Sequence, residues 1–487
     1  MKKKYIIISA LLLTGLFNQS CSDEFIDVAP TEQVSAEDLS VYNDNAGATG
    51  FVNSIYAKFL DWDMSTFSWI GVTSITSDDA DKGSTPGDTG TDKDILDALT
   101  FTASTPSFES LFSSNYQGIN RANQALQYLP QLTGADESLR NRLAGEAKFL
   151  RAFMYFTLVR SFGGVPLVDH VPTTSTEDVE MQLTRKSKED IYAFIEKDLL
   201  EAAEALPDKS GYGAADVGRA TKGAAHALLA KVYLYQKKWQ LAVDQCNLVT
   251  GYSLTPSFIE IYKVTGENNA ESIFEIQGSG ATTGKGIQQY TQVQGARGTG
   301  GWGWGFNTPT QNLYDAFTAE GDTERRDATI MKRGMTLYDG RVVGADADNP
   351  YYNYKAYSSA YTTQSSTDTN IRYLRYAEVL LIKAEALNEL GQTSAAIPLL
   401  NQVRDRANIA HTTATSQAAV RTAIWKERRL ELAFEHDRWF DLVRTGQAQS
   451  AMAANGKTFV VGKHEVFPLP QTFITEAKGR SAQNPGY

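Results

Sequence analysis

The stretch LRYAEVLLIKAEALNELGQTSAAIPLLNQVRDRA, residues 374–407, decides the fold of this 487-residue chain. Its apolar residues recur every three or four positions on both sides of Gly391, which predicts two amphipathic helices joined by a tight turn. Ala384 and Ala396 are small residues at facing positions, so the two helices can approach closely while leucines fill the space between them. The stretch therefore predicts a helical hairpin.

The same spacing of small residues recurs elsewhere in the chain. It is clearest at 221–250, and weaker versions occupy 109–165 and 418–446. A repeated helix pair of about 34 residues is typical of tetratricopeptide (TPR) repeats, which stack into a curved solenoid. We therefore predict a mainly α fold, a TPR-like helical-repeat solenoid of about four helix pairs, with its helices in residues 35–250 and 371–446.

The composition of the remaining residues, 251–370 and 447–487, predicts an irregular lobe that lies against the solenoid. Gly, Ser, Thr, Asn and Tyr are abundant in 251–370, which is too long for a turn between repeats. ESIFEIQ at 271–277 is its clearest strand, and prolines interrupt helices near the C-terminus. Residues 21–487 are therefore expected to form a single unit, with short strands in the loop-rich lobe.

The N-terminal residues indicate export from the cytoplasm. Three lysines precede an apolar core from Tyr5 to Phe17, and Ser20 stands before Cys21. This order is typical of a secretory signal peptide, predicted over residues 1–20, and the core is too short to cross a bilayer, which takes roughly 20 apolar residues. A cysteine at the cleavage site is typical of bacterial lipoproteins, although Asn18 replaces the usual leucine. We predict lipidation of Cys21 in preference to an ordinary secreted cysteine.

The charge balance argues against nucleic acid as a partner. The net charge is −11, and because residues 1–20 carry three lysines and no acidic residue, it becomes −14 without them. Affinity for nucleic acid comes chiefly from Lys and Arg neutralising phosphates. With Cys21 lipidated, Cys246 has no cysteine to pair with, and the five histidines lack the spacing of a zinc site. No nucleic acid and no metal are therefore predicted.

Aromatic residues concentrate in the predicted loops. GGWGWGF at 300–306 places Trp302 and Trp304 two residues apart among glycines, and both indoles project from the same face if this segment is extended. Exposed rings of this kind stack on the C–H faces of sugars, whereas the alternative is that the tryptophans fill a core. Two further clusters supply candidate ligand-binding residues: Trp62, Trp69, Asp78 and Asp79 in the 60–90 loop, and Tyr338 and Tyr351 with their tyrosine neighbours.

The charged segment ERRLELAFEHDRWFDLVRTG, residues 427–446, has two interpretations. Glu427, Glu431 and Glu435 are four residues apart and stack on one helix face, where two of them could form a carboxylate pair for glycoside hydrolysis. Their Arg neighbours instead indicate a structural ion network that holds each acid ionised, whereas a general acid needs a carboxyl close to neutrality. We favour the network, so no catalytic residue is predicted.

Three loops offer weaker candidate sites. SDDADKGSTPGD at 77–88 and ADADN at 345–349 could supply oxygens to calcium, but neither matches the twelve-residue EF-hand loop. GSGATTGKG at 278–286 lacks the spacing of a phosphate-binding loop. We interpret all three as solvated loops and predict no cofactor.

The chain resembles the SusD/RagB family of outer-membrane nutrient-binding lipoproteins over essentially its whole length. The resemblance rests on DEFIDVAPTEQ behind Cys21 and on internal motifs in the family's order, of which EAKFLRAFMYFTLVRSFGGVPL at 146–167 is the most specific. The other motifs are YQGINRANQAL at 116–126, RATKGAAHALLAKVYLYQKKW at 219–239, the segments 374–391 and 427–446, and the C-terminal FPLPQTFI and QNPGY.

This resemblance implies a SusD-like fold of four TPR-like units with an irregular lobe, lipid-anchored in the outer membrane and facing the cell exterior. Members bind oligosaccharides or polysaccharides through loops equivalent to roughly 60–110 and 280–360. They deliver these glycans to a SusC-like TonB-dependent transporter, in Bacteroidetes-type polysaccharide utilisation. We therefore expect a non-catalytic glycan-binding lipoprotein. The negative net charge disfavours strongly anionic glycans, unless a local cluster such as Arg325, Arg326 and Arg333 overrides it.

Two alternative functions stay open from the sequence. Some members of the family bind peptides, so a peptide- or protein-binding import component is the second hypothesis. A surface glycosidase is the third, and it would need two carboxyl groups facing each other in an open cleft.

Overall fold

The computed structural model describes residues 36–280, 286–358 and 368–487. The predicted signal peptide, Cys21 and residues 281–285 of the glycine-rich loop lie outside the described residues. Helices predominate, as predicted, and none in the described part of the chain is long and apolar enough to cross a membrane. The α-helices are α1 Ala36–Val41, α2 Asn45–Lys58, α3 Phe67–Ile70, α4 Lys93–Asp97, α5 Pro106–Tyr128, α6 Glu137–Phe162, α7 Thr176–Leu183, α8 Lys188–Ala205, α9 Lys222–Tyr235, α10 Trp239–Leu248, α11 Tyr290–Gln294, α12 Gln311–Ala319, α13 Thr323–Thr329, α14 Tyr376–Glu389, α15 Thr393–Arg406, α16 Gln417–Leu432, α17 Arg438–Thr445, α18 Ala448–Ala454 and α19 Gln471–Ala477.

Short strands form three antiparallel pairs within the described residues: β1 with β3, β2 with β6, and β4 with β5. The strand predicted at 271–277 is found as β2 and pairs with the strand that leads directly into α14. The strand bounds are β1 Ala80–Gly83, β2 Ser272–Ile276, β3 Phe306–Pro309, β4 Ile330–Lys332, β5 Tyr351–Asn353 and β6 Ile371–Arg375.

Eight helices pack on one another and form a continuous stack. Going along the stack, α5 contacts α6, α6 contacts α8, α8 contacts α9, α9 contacts α10, and α10 contacts α14, which packs against α15 and α16. Gly391 joins α14 to α15 with a φ of +77°, a conformation that glycine adopts without strain. Ala384 and Ala396 are fully buried on these two helices, in agreement with their predicted role. The TPR-like helical fold is therefore confirmed.

The last predicted helix pair differs from the prediction. α16 packs against α14 and α15, whereas α17 contacts the segment Gly71–Ile75 and α18. Arg428 on α16 reaches Asp441 on α17 at 2.9 Å, so an ion pair links these two helices. In contrast to α14 and α15, this pair is therefore linked by an ion pair and not by small residues at facing positions.

The acids predicted to form an ion network do so in the interior of the protein. Glu431 contacts Arg375 at 2.9 Å and Arg325 at 3.0 Å, and also Arg406, while Glu435 contacts Arg375 at 2.7 Å. Burial alone would raise the pKa of Glu431, but the surrounding arginines outweigh it and hold this pKa well below its ordinary value. The pKa of Glu435 is lowered in the same way. Both carboxyls are held ionised, which is the opposite of what a general acid needs.

The segment that follows α2 joins the lobe to the helical stack. Two helical turns of the wider π type, Trp62–Thr66 and Gly71–Ile75, flank α3. β1 follows them and pairs with β3 of the lobe, with Ala80 opposite Pro309. Residues 62–83 therefore connect the two parts of the molecule, although their sequence position falls within the predicted helical block.

Candidate ligand-binding site

Two partly exposed tryptophans from separate segments meet at the surface, and we call Trp62 and Trp304 the indole pair. Their ring centroids are 5.9 Å apart and their planes are inclined at 62°, an edge-to-face arrangement. Phe67 packs against Trp62 with 5.1 Å between ring centroids, which holds this indole in place. The pair therefore presents aromatic surface to solvent in a fixed orientation.

Glutamines at positions 288–292 surround the backbone of the indole pair. The side chain of Gln288 accepts a hydrogen bond from the Trp62 N–H at 3.0 Å, and the carbonyl of Gln292 accepts one from the Trp304 N–H at 2.8 Å. Gln289 donates to the carboxamide of Gln292 at 3.2 Å. Carboxamides both donate and accept hydrogen bonds, as the recognition of sugar hydroxyls requires. Aromatic and polar groups thus stand next to each other at this surface.

A second aromatic group is built on a hairpin, residues 334–343, which we call the tyrosine hairpin. The Gly334 N–H donates to the Val343 carbonyl at 2.9 Å, and the Leu337 N–H donates to the Arg341 carbonyl at 2.8 Å. Gly340 is the third residue of the loop 338–340, and its φ of +88° is a left-handed conformation that favours glycine. The hairpin therefore has a defined conformation that fixes its side chains.

The rings of the tyrosine hairpin form a contact series that ends at Trp302. Tyr338, 37% exposed, stacks on Tyr354 with 5.8 Å between centroids and an angle of 11°. Tyr338 also meets Tyr357 edge to face at 5.4 Å, and Tyr357 meets Trp302 edge to face at 5.5 Å. Burial raises the pKa of Tyr354 to about 12, so its hydroxyl stays protonated at neutral pH. The Tyr354 hydroxyl accepts a hydrogen bond from the Tyr338 N–H at 2.8 Å, and the Tyr357 hydroxyl donates to Asp339 at 2.6 Å.

Trp302 and Trp304 do not share one face, contrary to the expectation for an extended segment. The chain bends at Gly303, so Trp302 packs with Tyr357 while Trp304 packs with Trp62. A side chain at position 303 would come within 2.4 Å of the Gly295 backbone, so glycine is required for this approach. Consecutive Cα atoms are about 3.8 Å apart, which keeps the two tryptophan backbones within roughly 8 Å. The indole pair and the tyrosine hairpin therefore lie near each other, and together we call them the aromatic surface.

Trp69 is a correction to the predicted site, because it lies in the core. It is 3% exposed and stacks on Tyr373 at 6.2 Å, with the ring of His436 at 5.5 Å. The 60–90 segment was expected to be a loop, but Trp69 lies on α3 and faces inward. Of the two tryptophans predicted here, only Trp62 is at the surface.

Asp78 and Asp79 are also corrections, because Arg438 on α17 and Arg429 on α16 hold them inside the protein. Each is 2% exposed. Asp78 accepts two hydrogen bonds from Arg438, at 2.7 and 2.8 Å, and Asp79 accepts one from Arg429 at 2.7 Å. Burial alone would raise the pKa of Asp78, but Arg438 outweighs it and lowers this pKa to about 2. These acids therefore anchor the lobe to α16 and α17 and present no surface to a ligand.

Tyr351 lies apart from both aromatic groups. It stacks on Tyr314 with 5.1 Å between centroids and an angle of 12°, and its hydroxyl donates to Gln311 at 3.0 Å. Both rings are partly exposed on β5 and α12. Tyr351 is therefore a separate surface feature.

Sequence reasoning missed several residues of the aromatic surface. The signal for the hairpin was present, since Asp339 and Gly340 form the Asp-Gly pair that is typical of β-hairpin turns. That pattern would have placed Arg341 beside the tyrosines. Nothing in the sequence indicated that Tyr357, or the glutamines at 288–292, would reach the tryptophans.

Metal coordination finds no support in the part of the chain that the structure describes. No group of three or more His, Cys, Asp or Glu side chains is placed there to hold a metal ion. In the two acidic loops considered for calcium, Asp88 and Asp348 both contact Arg297, at 3.1 and 3.3 Å. These acids neutralise an arginine.

The stack of helix pairs places this protein in the class of helical-repeat proteins, and its lobe carries an aromatic surface. Within that class, this chain belongs to the SusD/RagB family. Residues 335–487 match the SusD family, and residues 70–234 match a family described as "Starch-binding associating with outer membrane".

Similar proteins cover the chain almost completely. It is 29% identical to SusD-like protein P2 of Formosa agariphila, with 100% of both chains covered. It is 26% identical to the starch-binding protein SusD of Bacteroides thetaiotaomicron, with 74% of this chain and 75% of that protein covered. The solved structure of a laminarin-binding SusD-like protein has a TM-score of 0.76 at 29% identity, covering 91% of this chain and 99% of that one.

Proposed function

We propose that this protein binds oligosaccharides or polysaccharides through the aromatic surface formed by the indole pair and the tyrosine hairpin. The observation that carries the proposal is the partly exposed Trp62–Trp304 pair bordered by carboxamides. Indole faces stack on the apolar C–H faces of sugar rings, and carboxamides bond to hydroxyls. Related proteins named for binding starch and laminarin support the same ligand class.

Binding is proposed to be non-catalytic. Hydrolysis by two carboxyls needs one of them to be protonated near neutral pH. Glu431 on α16 and Glu435 just after it, two acids considered for this role, are neutralised by arginines in the interior, and their pKa values are lowered. The related proteins are likewise named as binding proteins.

The cellular role is proposed from the family. We infer a lipoprotein anchored through Cys21 in the outer membrane, facing the exterior, which delivers glycans to a SusC-like TonB-dependent transporter. Replacing Cys21 by alanine should abolish retention at the membrane and leave glycan affinity unchanged, as measured by cell fractionation and calorimetry. Loss of affinity together with retention would show that Cys21 is more than an anchor. Co-purification with a TonB-dependent transporter tests the partner.

Calorimetry of the purified protein against neutral and acidic glycans and against peptides tests the ligand class. Saturable binding to at least one glycan series is expected. Binding to peptides with no glycan bound would overturn the proposal in favour of the peptide-binding alternative. Release of reducing sugar from any bound glycan would contradict the non-catalytic role.

A further inference from the structure

Arg341 belongs to the tyrosine hairpin, and its guanidinium lies over two rings of the contact series described above. Its guanidinium carbon is 4.9 Å from the ring centroid of Trp302 and 5.9 Å from that of Tyr357. Both distances place the cation against ring faces, where the aromatic quadrupole attracts it. The side chain is only half-buried, so part of it faces solvent. The stacking therefore holds a positive charge at the surface proposed to bind the ligand.

The charge of Arg341 has no carboxylate partner among the described residues. Its Nη1 atom is buried there without a hydrogen-bond partner. Asp339, two residues earlier, directs its carboxylate to the Arg341 backbone N–H at 3.1 Å and to the Tyr357 hydroxyl at 2.6 Å. A guanidinium in this position gains from an anion that arrives with a ligand, because a partly desolvated charge without a partner is costly.

Other arginines of the lobe have acceptors within the protein. Arg326 also lies over a ring, 5.1 Å from the centroid of Tyr314, but it pairs with Asp327 at 2.9 Å. Arg325 is fully buried in the ion network, and Arg333 donates to two backbone carbonyls. The cluster Arg325, Arg326 and Arg333, considered from the sequence as an anion site, therefore does not form one.

We propose that Arg341 makes this site selective for acidic glycans, those that carry a carboxylate or a sulfate ester. The inference rests on the proposed function and adds the chemical class of the sugar. Because Nη1 is buried, the donors left to a ligand are Nε and Nη2, and this edge of a guanidinium donates two parallel hydrogen bonds to a carboxylate or a sulfate. The negative net charge of −11 repels acidic polymers at long range, so selectivity depends on this local charge.

Calorimetry with two matched ligand pairs tests the proposal on the wild-type protein. One pair is an oligogalacturonate and its carboxyl-reduced form, and the other is a sulfated galactan oligosaccharide and its desulfated form. The wild type should bind at least one acidic member about tenfold to hundredfold more tightly than its neutral match, the range expected for hydrogen bonds to a charged group. The two pairs distinguish carboxylate from sulfate. Equal or weaker binding of both acidic members would overturn the inference.

Three variants assign the selectivity to Arg341. R341Q should remove the preference by lowering affinity for the acidic member to that of its neutral match, and R341K should retain part of the preference, because lysine keeps the charge without the planar donor edge. R326Q is the matched control, since Arg326 lies on a ring but already has a carboxylate, and it should leave the preference intact. Selectivity that survives R341Q would overturn the assignment. Failure of the wild type to bind any member of either pair, or any other glycan, would instead reject the proposed function itself.

Discussion

Two arginines, Arg375 at the end of β6 and Arg341 in the lobe, have opposite electrostatic surroundings. Arg375 contacts the carboxylates of Glu271, Glu431 and Glu435 at 2.5, 2.9 and 2.7 Å and is fully buried. Arg341 contacts the faces of aromatic rings and pairs with no carboxylate of the described residues. The same side chain is thus a structural cation in one place and a half-exposed, uncompensated one in the other.

This difference separates residues that hold the fold from residues that are available to a ligand. A charge that has all its partners within the protein gains little from a further contact. A charge held by ring stacking alone keeps its hydrogen-bonding capacity for a partner from solution. Asp78 follows the same rule, since Arg438 and Arg429 already pair with it in the interior. Whether a charged side chain already has partners within the protein, more than its residue type, therefore indicates where a ligand can bind.

The largest expected effect is on the free energy of unfolding, at Arg375, whose charge is compensated by carboxylates. Arg375→Met leaves three buried carboxylates without one of their cations and should lower the free energy of unfolding by about 3–5 kcal/mol, the range for a broken buried ion pair. Chemical denaturation of the soluble variant measures the loss. A loss below about 1 kcal/mol would show that the network does not stabilise the stack.

The next effect concerns His436, which lies where the stack and the lobe meet. Its Nδ1 is 3.1 Å from the Thr73 hydroxyl and its Nε2 is 3.2 Å from the Tyr290 hydroxyl. Burial lowers the pKa of His436 to about 4, although neighbouring Asp437 and Glu435 oppose this shift. Because this pKa is lower in the folded state, the unfolded state takes up the proton first, and stability is lost as the pH falls from about 6.5 to 4.

This effect is measured by comparing the wild type with His436→Asn, whose asparagine tolerates the φ of +71° at this position. The destabilisation caused by the substitution should shrink by about 3 kcal/mol between pH 7 and pH 4, at about 1.4 kcal/mol per unit of pKa. Denaturation curves at the two pH values give both numbers. A destabilisation that stays constant with pH would mean that His436 titrates normally in the folded protein.

Much of the fold could be predicted from the sequence because helix pairs are local. The small residues around Gly391 and the apolar period on both sides of it fixed a hairpin whose contacts are close along the chain. The β1–β3 sheet joins residues more than 200 positions apart, and nothing near Ala80 in the sequence specifies Pro309 as its neighbour. The burial of Asp78 and Asp79 depends on the same distant contacts, with Arg438 and Arg429, which is why these residues looked solvated from the sequence.

The candidate site could be predicted only in part, because it also depends on contacts between distant segments. Trp62, Trp302, Trp304 and Tyr338 lie in segments that the sequence predicts to be loops, where an aromatic ring can face solvent, and each is partly exposed. Trp69 could not be distinguished from them without knowing that its segment is helical. Arg341 could be placed on a hairpin by its Asp-Gly turn, but its lack of a carboxylate partner is visible only when the neighbouring chain segments are in position.

A smaller effect is expected at the indole pair, where binding and stability should respond differently. Trp62→Ala and Trp304→Ala should each weaken glycan binding by about 1–3 kcal/mol, taking base–aromatic stacking as the nearest scale. Calorimetry with the tightest-binding glycan measures this loss. Trp239, which is also partly exposed but lies on α10 of the stack, is the matched control, and Trp239→Ala should leave affinity unchanged. Equal affinities for all three variants would place the binding site elsewhere.

The smallest effect is expected at Arg421, an arginine that is paired with a carboxylate but accessible to solvent. Arg421 on α16 contacts Glu389 on α14 at 2.5 Å, with 30% of the arginine side chain and 16% of the glutamate side chain exposed. Its carboxylate partner resembles those of Arg375, whereas its exposure is nearer to that of Arg341. Arg421→Gln should therefore cost only about 0–1 kcal/mol of unfolding free energy, because water compensates a broken surface pair, and should leave glycan affinity and acidic selectivity unchanged. A loss as large as that of Arg375→Met would show that pairing alone, without burial, determines what an arginine contributes to the fold.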